Sequence, residues 1–310
     1  MKRTISEFLV LVCTILLLAV WYACGLPAAR PAVPHPFLSG LLACLVILAD
    51  AALLYLTEDR ILAQMGLFAP VSYIVLVTAN PNALWFSPFH GAALLLTLSI
   101  VFFLYFCAIR PGMGSLIGAW TTLGTSALLF PPFLWLAPVY AVSAVGKAED
   151  KWKFWVASLL SVCLPLGIQT AVTGLQDNTG WSAASLTELW RGMTTVSSVS
   201  LHFSAATLCR ISLTALATLL AILWSIGRLD RYKISRSAAV IRIMLLTLAL
   251  SILMLVFLPD NRHPSGLVTA LPVSLLLNEY FTAPDRKRGS RTLALILILI
   301  LIAERISCYV

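Results

Sequence analysis

"SALLFPPFLWLAPVYAV", residues 126–142, decides the fold. It is apolar enough to lie in a bilayer, yet Pro131 and Pro132 stand side by side at its centre. Proline disfavours the helical conformation of the residue before it and has no N–H to donate, so Phe130-Pro131 is a place for a helix to stop. Read as one helix, 115–146 would run about 48 Å, against a hydrocarbon core of about 30 Å. Read as two short helices with a turn at Pro131-Pro132, it leaves and returns on one side. This choice sets the side of the membrane on which every later loop falls.

Apolar runs of similar kind fill the rest of the chain. Of its 310 residues, 60% are hydrophobic and only 11% charged, whereas a soluble domain carries about a quarter charged residues. Eleven spans are expected, at 8–26, 37–56, 61–79, 91–109, 115–130, 132–146, 154–173, 201–226, 243–258, 267–281 and 292–307. The stretch from Phe8 to Leu26 is long for a signal peptide, and it reads as a retained first helix. The expected fold is all-α, a single multi-span membrane domain over 1–310.

Positive charge tests the turn. With Lys2 and Arg3 on the cytoplasmic side and the chain alternating, sixteen of the 21 Lys and Arg residues fall inside. The inner loops then include "GRLDRYKISR" (227–236) and "DRKRGSR" (285–291). Only Arg30, Arg191, Arg262 and Arg305 lie outside, and Arg210 lies within a span. A single kinked helix at 115–146 would reverse every later segment and break this positive-inside pattern. The turn therefore faces outward, the N-terminus is expected in the cytoplasm of a bacterial inner membrane, and the C-terminus in the periplasm. The net charge of +8 marks membrane sidedness in this reading, not nucleic-acid binding.

The one long outward segment is 174–200. Ser185-Leu186-Thr187-Glu188 fits a capping box, which predicts a short interfacial helix with Trp181 and Trp190 at headgroup depth. The seven cysteines are scattered with no CxxC, and neither a phosphate-binding glycine loop nor a metal-spaced Cys/His set occurs. No cofactor or metal is expected.

Intramembrane charge is the default pointer to a site. Asp50 in "LVILADAALLYL" and Arg210 in "AATLCRISLTAL" are the two candidates: they pair with each other, or each finds its own partner or snorkels to an interface, or they serve as a substrate or proton-relay site. Glu279 lies near the inner boundary and reads as interfacial. Asp260, Arg262 and His263 in "PDNRHPSG" form the densest outward polar cluster, which reads as a solvated turn of ordinary turn formers or, through Arg262 and His263, as a site for an anionic headgroup or phosphate. All four histidines, His35, His90, His202 and His263, fall on the outer side, where a shared cavity would bind a metal or sense pH.

Four stretches carry a likeness. They are "SPFHGAALLLTLSIVFFLYFCAIR" (87–110), "GAWTTLGTSALLFPPFLWLAPVYAV" (118–142), "KAEDKWKFWVASLLSVCLPLGI" (147–168) and "LVTALPVSLLLNEYF" (267–281). In this order they resemble a family of uncharacterised bacterial polytopic inner-membrane proteins, often labelled carotenoid oxygenases. That label implies a soluble propeller with four iron-binding histidines, which a helical membrane chain does not match. The short-helix pair is also similar to membrane glycosyltransferases that use lipid-linked donors. Those place acidic residues in the first outward loop, and "PAARPAVPHP" (27–36) has none.

Three function classes follow. A non-enzymatic component of a cell-envelope complex leads, since small-residue faces such as "GSLIGAWTTLGTSA" permit close helix packing. A lipid-carrier enzyme of the glycosyltransferase kind would act through Asp177, Glu188 or Asp260. A transporter or flippase would use Asp50 and Arg210. The expected partners are the bilayer, other membrane proteins or a lipid-linked substrate, with no nucleic acid.

Overall fold

The structure is a computed structural model. It describes residues 35–58, 68–109, 112–146, 150–176, 183–194, 205–231, 234–257 and 264–281, with isolated positions 15, 61, 296 and 299. The expected first span at 8–26 lies outside the described residues, and so does nearly all of the last at 292–307. Among the described residues the chain is all-helical. Its α-helices are α1 (Pro36–Thr57), α2 (Phe68–Thr78), α3 (Pro88–Ala108), α4 (Met113–Leu129) and α5 (Ala137–Val145). They continue with α6 (Lys151–Gln176), α7 (Ala183–Thr194), α8 (Ala205–Ile226), α9 (Ile234–Phe257) and α10 (Gly266–Phe281). Four segments are long and apolar enough to cross a membrane: Phe37–Thr57, Pro88–Ala108, Lys151–Val172 and Arg236–Phe257. Shorter apolar helices include Phe68–Thr78 and Gly266–Phe281. This is the helix content of a membrane-embedded protein.

The residues divide into two compact units. The first draws on Met1–Ser87, Ser200–Arg231 and Asp260–Val310 and contains α1, α2, α8 and α10. Its helix α1 is inverted relative to a soluble helix. Phe37, Leu38, Leu41, Leu45 and Leu56 are exposed, while Ala43, Ile47, Asp50, Ala51, Leu54 and Glu58 are buried. The buried set recurs every three or four residues, one face of a 3.6-residue helix. Apolar side chains outward and carboxylates inward suit a helix surrounded by lipid.

Helix α10 is buried from Ala270 to Tyr280, and Leu267 and Val268 before it are buried too. It packs against α2 and α8, and α2 also packs against α1. Contacts fix their directions. Phe68, at the start of α2, stacks on Phe281 at the end of α10, with ring centroids 4.3 Å apart. Gly266, at the start of α10, approaches the Leu76 carbonyl near the end of α2. Helices α2 and α10 therefore run antiparallel.

The second unit, Pro88–Val199 with Tyr232–Pro259, holds α3 to α7 and α9. Helix α4 ends at Leu129, and Phe130 is extended, with φ −144° and ψ 91°. A 3₁₀ segment, Pro131–Leu136, leads into α5. Proline at the first helical positions costs nothing there, because those N–H groups have no intrahelical acceptor. Trp120 and Tyr140, ten residues to either side of Phe130, meet edge to face at 5.8 Å. Tyr140 also stacks on Phe103 at 4.1 Å. Its hydroxyl lies 3.1 Å from Ser99 Oγ, which donates to the Ala119 carbonyl at 2.7 Å.

Small residues set the approach of α4 to its neighbours. A Cβ on Gly124 would lie 2.9 Å from the Val162 carbonyl oxygen on α6, and one on Gly118 would lie 3.1 Å from the Phe102 ring on α3. Asp150 starts α6. Its Oδ1 accepts from the Trp152 and Lys153 amides, and its Oδ2 pairs with Lys153 Nζ at 3.1 Å. These bonds hold the Asp150 carboxyl below the usual carboxylate range. Arg242 on α9 donates through Nε and Nη2 to the Ser143 carbonyl in the last turn of α5, a favourable end for a cation.

Helix α7 occupies the segment expected to hold a short helix. It begins at Ala183, so Ser185 lies within it and Ser185–Glu188 is not the box that starts it. Its Gly192 seats against the Pro131 ring, and Trp135 Nε1 donates to the Met193 carbonyl. Helix α9 starts at Ile234, nine residues before the expected span, because a helix continues past its apolar stretch wherever the backbone hydrogen bonds can continue.

Candidate functional site

The polar interior of the first unit has two levels, both built on the buried face of α1. At the upper level is Asp50, 0% exposed. The Tyr73 hydroxyl on α2 lies 2.9 Å from Asp50 Oδ2 and 3.2 Å from the carbonyl oxygen of Leu267 on α10. Tyr73 is itself fully buried. One hydroxyl therefore links three helices at a carboxylate, and it has one proton to offer two acceptors.

Eight residues further along the same face, about 12 Å at helical rise, is Glu58, also 0% exposed. Asn278 Nδ2 on α10 donates to Glu58 Oε1. Asn278 is fully buried and Glu279 is 1% exposed. Glu58 stands one residue past the apolar span. Burial first, and then the nearby Glu279 carboxyl, push its carboxyl up from its ordinary value to about 8, although the Asn278 hydrogen bond acts the other way. Glu58 Oε2 is buried with no hydrogen-bond partner among the described residues.

Aromatic rings close this end. Phe68 stacks on Phe281, Trp224 of α8 meets Tyr280 edge-on at 5.4 Å, and the Arg228 guanidinium lies 4.6 Å from the centre of the Trp224 ring. Such a cation–ring contact is worth about 0.5–1 kcal/mol at an exposed site. It draws Arg228 onto the indole face.

Of the expected site residues, Asp50 is a buried core position. Arg210 belongs to α8, but its side chain lies outside the described residues, as does any pairing with Asp50. Asp260, Arg262 and His263 also lie outside them. His35 is exposed and His90 is fully buried, while His202 falls outside the description. Glu279, expected at the interface, is instead enclosed, because α10 is covered on all sides. Tyr73, Glu58 and Asn278 were not anticipated. Glu58 had one sequence signal: it follows Asp50 and Leu54 at steps of four.

Among the described residues no three His, Cys, Asp or Glu side chains are grouped to hold a metal ion. What the arrangement offers is acid–base chemistry inside an apolar shell: three carboxyl groups (Asp50, Glu58 and Glu279), the Asn278 amide and the Tyr73 phenol. Comparison of the chain with protein-family models, with curated proteins and with solved structures finds no match.

Proposed function

We propose that this chain is an eleven-span inner-membrane protein of the transporter or flippase class, with its N-terminus in the cytoplasm and its C-terminus in the periplasm. The observation that carries the functional part is Asp50, enclosed on the buried face of an otherwise apolar helix, with Glu58 enclosed one residue past its end. Burying carboxylates in a membrane interior is expensive, and such residues mark ion and substrate pathways. A helix meant only to pack would carry leucine there.

Two sets of contacts support the proposed topology. Positive-inside alternation requires α1 and α10 to run outside to inside and α2 to run the other way. The Glu58–Asn278 bond joins the trailing ends of α1 and α10, and the Phe68–Phe281 stack makes α2 antiparallel to α10. The meeting of Trp120 with Tyr140 across Pro131-Pro132 supports a hairpin at the diproline.

Membership of an envelope complex is the second reading. It rested on the small-residue face of α4, but Gly118 and Gly124 on that face already pack against Phe102 and Val162 of this chain. The enzyme reading relies on Asp177, Glu188 and Asp260, whose side chains lie outside the described residues.

The carrier reading is tested in liposomes bearing the purified protein and an internal pH-sensitive dye. They are challenged under an inward proton gradient with organic anions, amino acids, sugars and lipid-linked sugars in turn. One class should accelerate lumen acidification over empty vesicles, and Glu58→Gln should abolish that acceleration. If no class does so while the protein purifies with a partner at fixed stoichiometry, the complex-component reading replaces it.

A further inference from the structure

Proline inside a helix removes one backbone hydrogen bond, because its nitrogen has no proton for the carbonyl four residues back. In α10 that residue is Pro272, and the bond it removes is the one to the Val268 carbonyl. Residues 266–271 are therefore joined to the rest of α10 less firmly than in an unbroken helix. Contacts from a neighbouring helix weigh more in holding them. From α2, the Leu76 carbonyl lies against Gly266, and the Tyr73 hydroxyl lies 3.2 Å from the Leu267 carbonyl oxygen.

The same hydroxyl lies 2.9 Å from Asp50 Oδ2. With one proton and two acceptors, it serves one of them fully at a time. Charge decides between them. An ionised carboxylate accepts a hydrogen bond roughly twice as strong as a neutral carbonyl does, and the shorter distance lies on the carboxylate side. Once Asp50 takes a proton from water, that advantage is gone, and the acid can itself donate to the phenol oxygen. Rotation about the Tyr73 C–O bond then turns the hydroxyl proton to the Leu267 carbonyl, with no covalent bond of the tyrosine broken.

The groups around Asp50 shift the balance between the two states without altering this rule. On α1 they are His35, Cys44, Tyr55 and Glu58, the last about 12 Å along the helix. Helix α2 brings only Tyr73, the Pro81–Leu84 segment brings no titratable group, and Glu279 and Tyr280 stand at the far end of α10. Helix α8, which packs on α10, carries Cys209 and Arg210. A cation beside Asp50 favours the ionised state, and the hydroxyl still follows the charge.

We propose that Tyr73 is a switch that reads the charge on Asp50. It donates to the carboxylate while Asp50 is ionised and to the Leu267 carbonyl when Asp50 is neutral, and the second state tightens the first turn of α10. Asp50 is the residue that carries the carrier reading, and the switch links that carboxyl to a second helix. It is a property of the folded chain that can be read without any substrate, so its failure and the failure of the liposome assay are separate results.

Amide hydrogen exchange of the full chain in detergent micelles tests this, read on peptides covering 264–271 and 273–281 at alkaline pH, which favours the ionised carboxyl. Asp50→Asn and Asp50→Leu both remove the charge. Each should slow exchange in 264–271 by about two- to tenfold, the factor that one net hydrogen bond makes, and leave 273–281 unchanged. In a Tyr73→Phe background the same substitutions should have no such effect, whereas a mere packing role for Asp50 would persist there. A neutral Asp50 is a native state in this proposal, so loss of folding in both Asp50 variants counts against it. If Tyr73→Phe does not fold, the sign of the Asp50 effect decides. The proposal is overturned if the neutral variants exchange as fast as the wild-type protein or faster in 264–271, if the slowing spreads evenly over α10, or if it survives without the hydroxyl.

Discussion

The two units differ in which polar groups they enclose in an apolar interior. In the second, the buried polar side chains are hydroxyls together with His90, and the hydroxyls bond mostly to backbone carbonyls, as Thr97 does to Ala93 and Ser126 to Leu123. Its described acid, Asp150, stands in the open at the head of α6. The first unit also buries hydroxyls bonded to backbone carbonyls, as Thr57 is to Leu53 and Ser274 to Leu271, but its interior holds in addition Asp50, Glu58, Asn278 and Glu279. Neutral hydroxyls paired with nearby carbonyls hold one arrangement over a wide pH range. The enclosed Glu58 carboxyl, pushed up by burial and by the nearby Glu279, ties its arrangement to proton activity. The second unit is thus built as a scaffold and the first as a responsive element.

The widest separation between the units should come with pH. Burial, and then the nearby Glu279 carboxyl, push the Glu58 carboxyl up from 4.5 to about 8 in the folded chain. The folded state then binds the extra proton between those limits, so its stabilisation is fully present below the lower value and is lost as pH rises through the upper one. Thermal unfolding of the purified protein should show stability falling across this window by on the order of a few kcal/mol. Glu58→Gln, which cannot ionise, should flatten that fall. A wild-type profile that is level from mildly acidic to mildly alkaline pH would erase the contrast between the units.

Next in size is a steric test of the scaffold. Gly124→Val places carbon against the Val162 carbonyl, and overpacking at such a site costs about 1–3 kcal/mol. The loss should be independent of pH, and that independence sharpens the comparison. Tyr73→Phe removes the hydroxyl that Asp50 and Leu267 share. Stranding a buried polar group costs about 1–3 kcal/mol, and we expect the lower half of that range because Leu267 lies in a helix that can still use its carbonyl. The smallest effect should be Asp150→Ala, which deletes the cap of α6, measured as faster amide exchange in the first turn of that helix.

Much of this architecture could be read in advance, and the reason is local. A run of apolar residues is visible in one dimension, so the cores of α1, α3, α6 and α9 were legible, as was the break at Pro131. Asp50 was legible because a lone acid inside such a run has no ordinary explanation. Glu58 and Glu279 were not. Each sits at the end of a span beside charged sequence, "EDR" after one and "DRKRGSR" after the other, and there an acid reads as solvated. Only the pairing of α1 with α10 encloses them, and nothing local encodes a contact between residues 220 positions apart.

That same separation has a consequence for biogenesis. At about 5–20 residues per second of synthesis, Glu58 emerges roughly 10–45 s before Asn278 exists to receive it. Through that interval the nascent first unit has an acidic residue with no enclosure, parked at the membrane boundary or attended by an insertion factor. Completion of the interior waits on one of the last helices to be made, so ribosome stalling beyond residue 259 would leave this half of the protein open to quality-control proteolysis when every residue of the scaffold half had already been made.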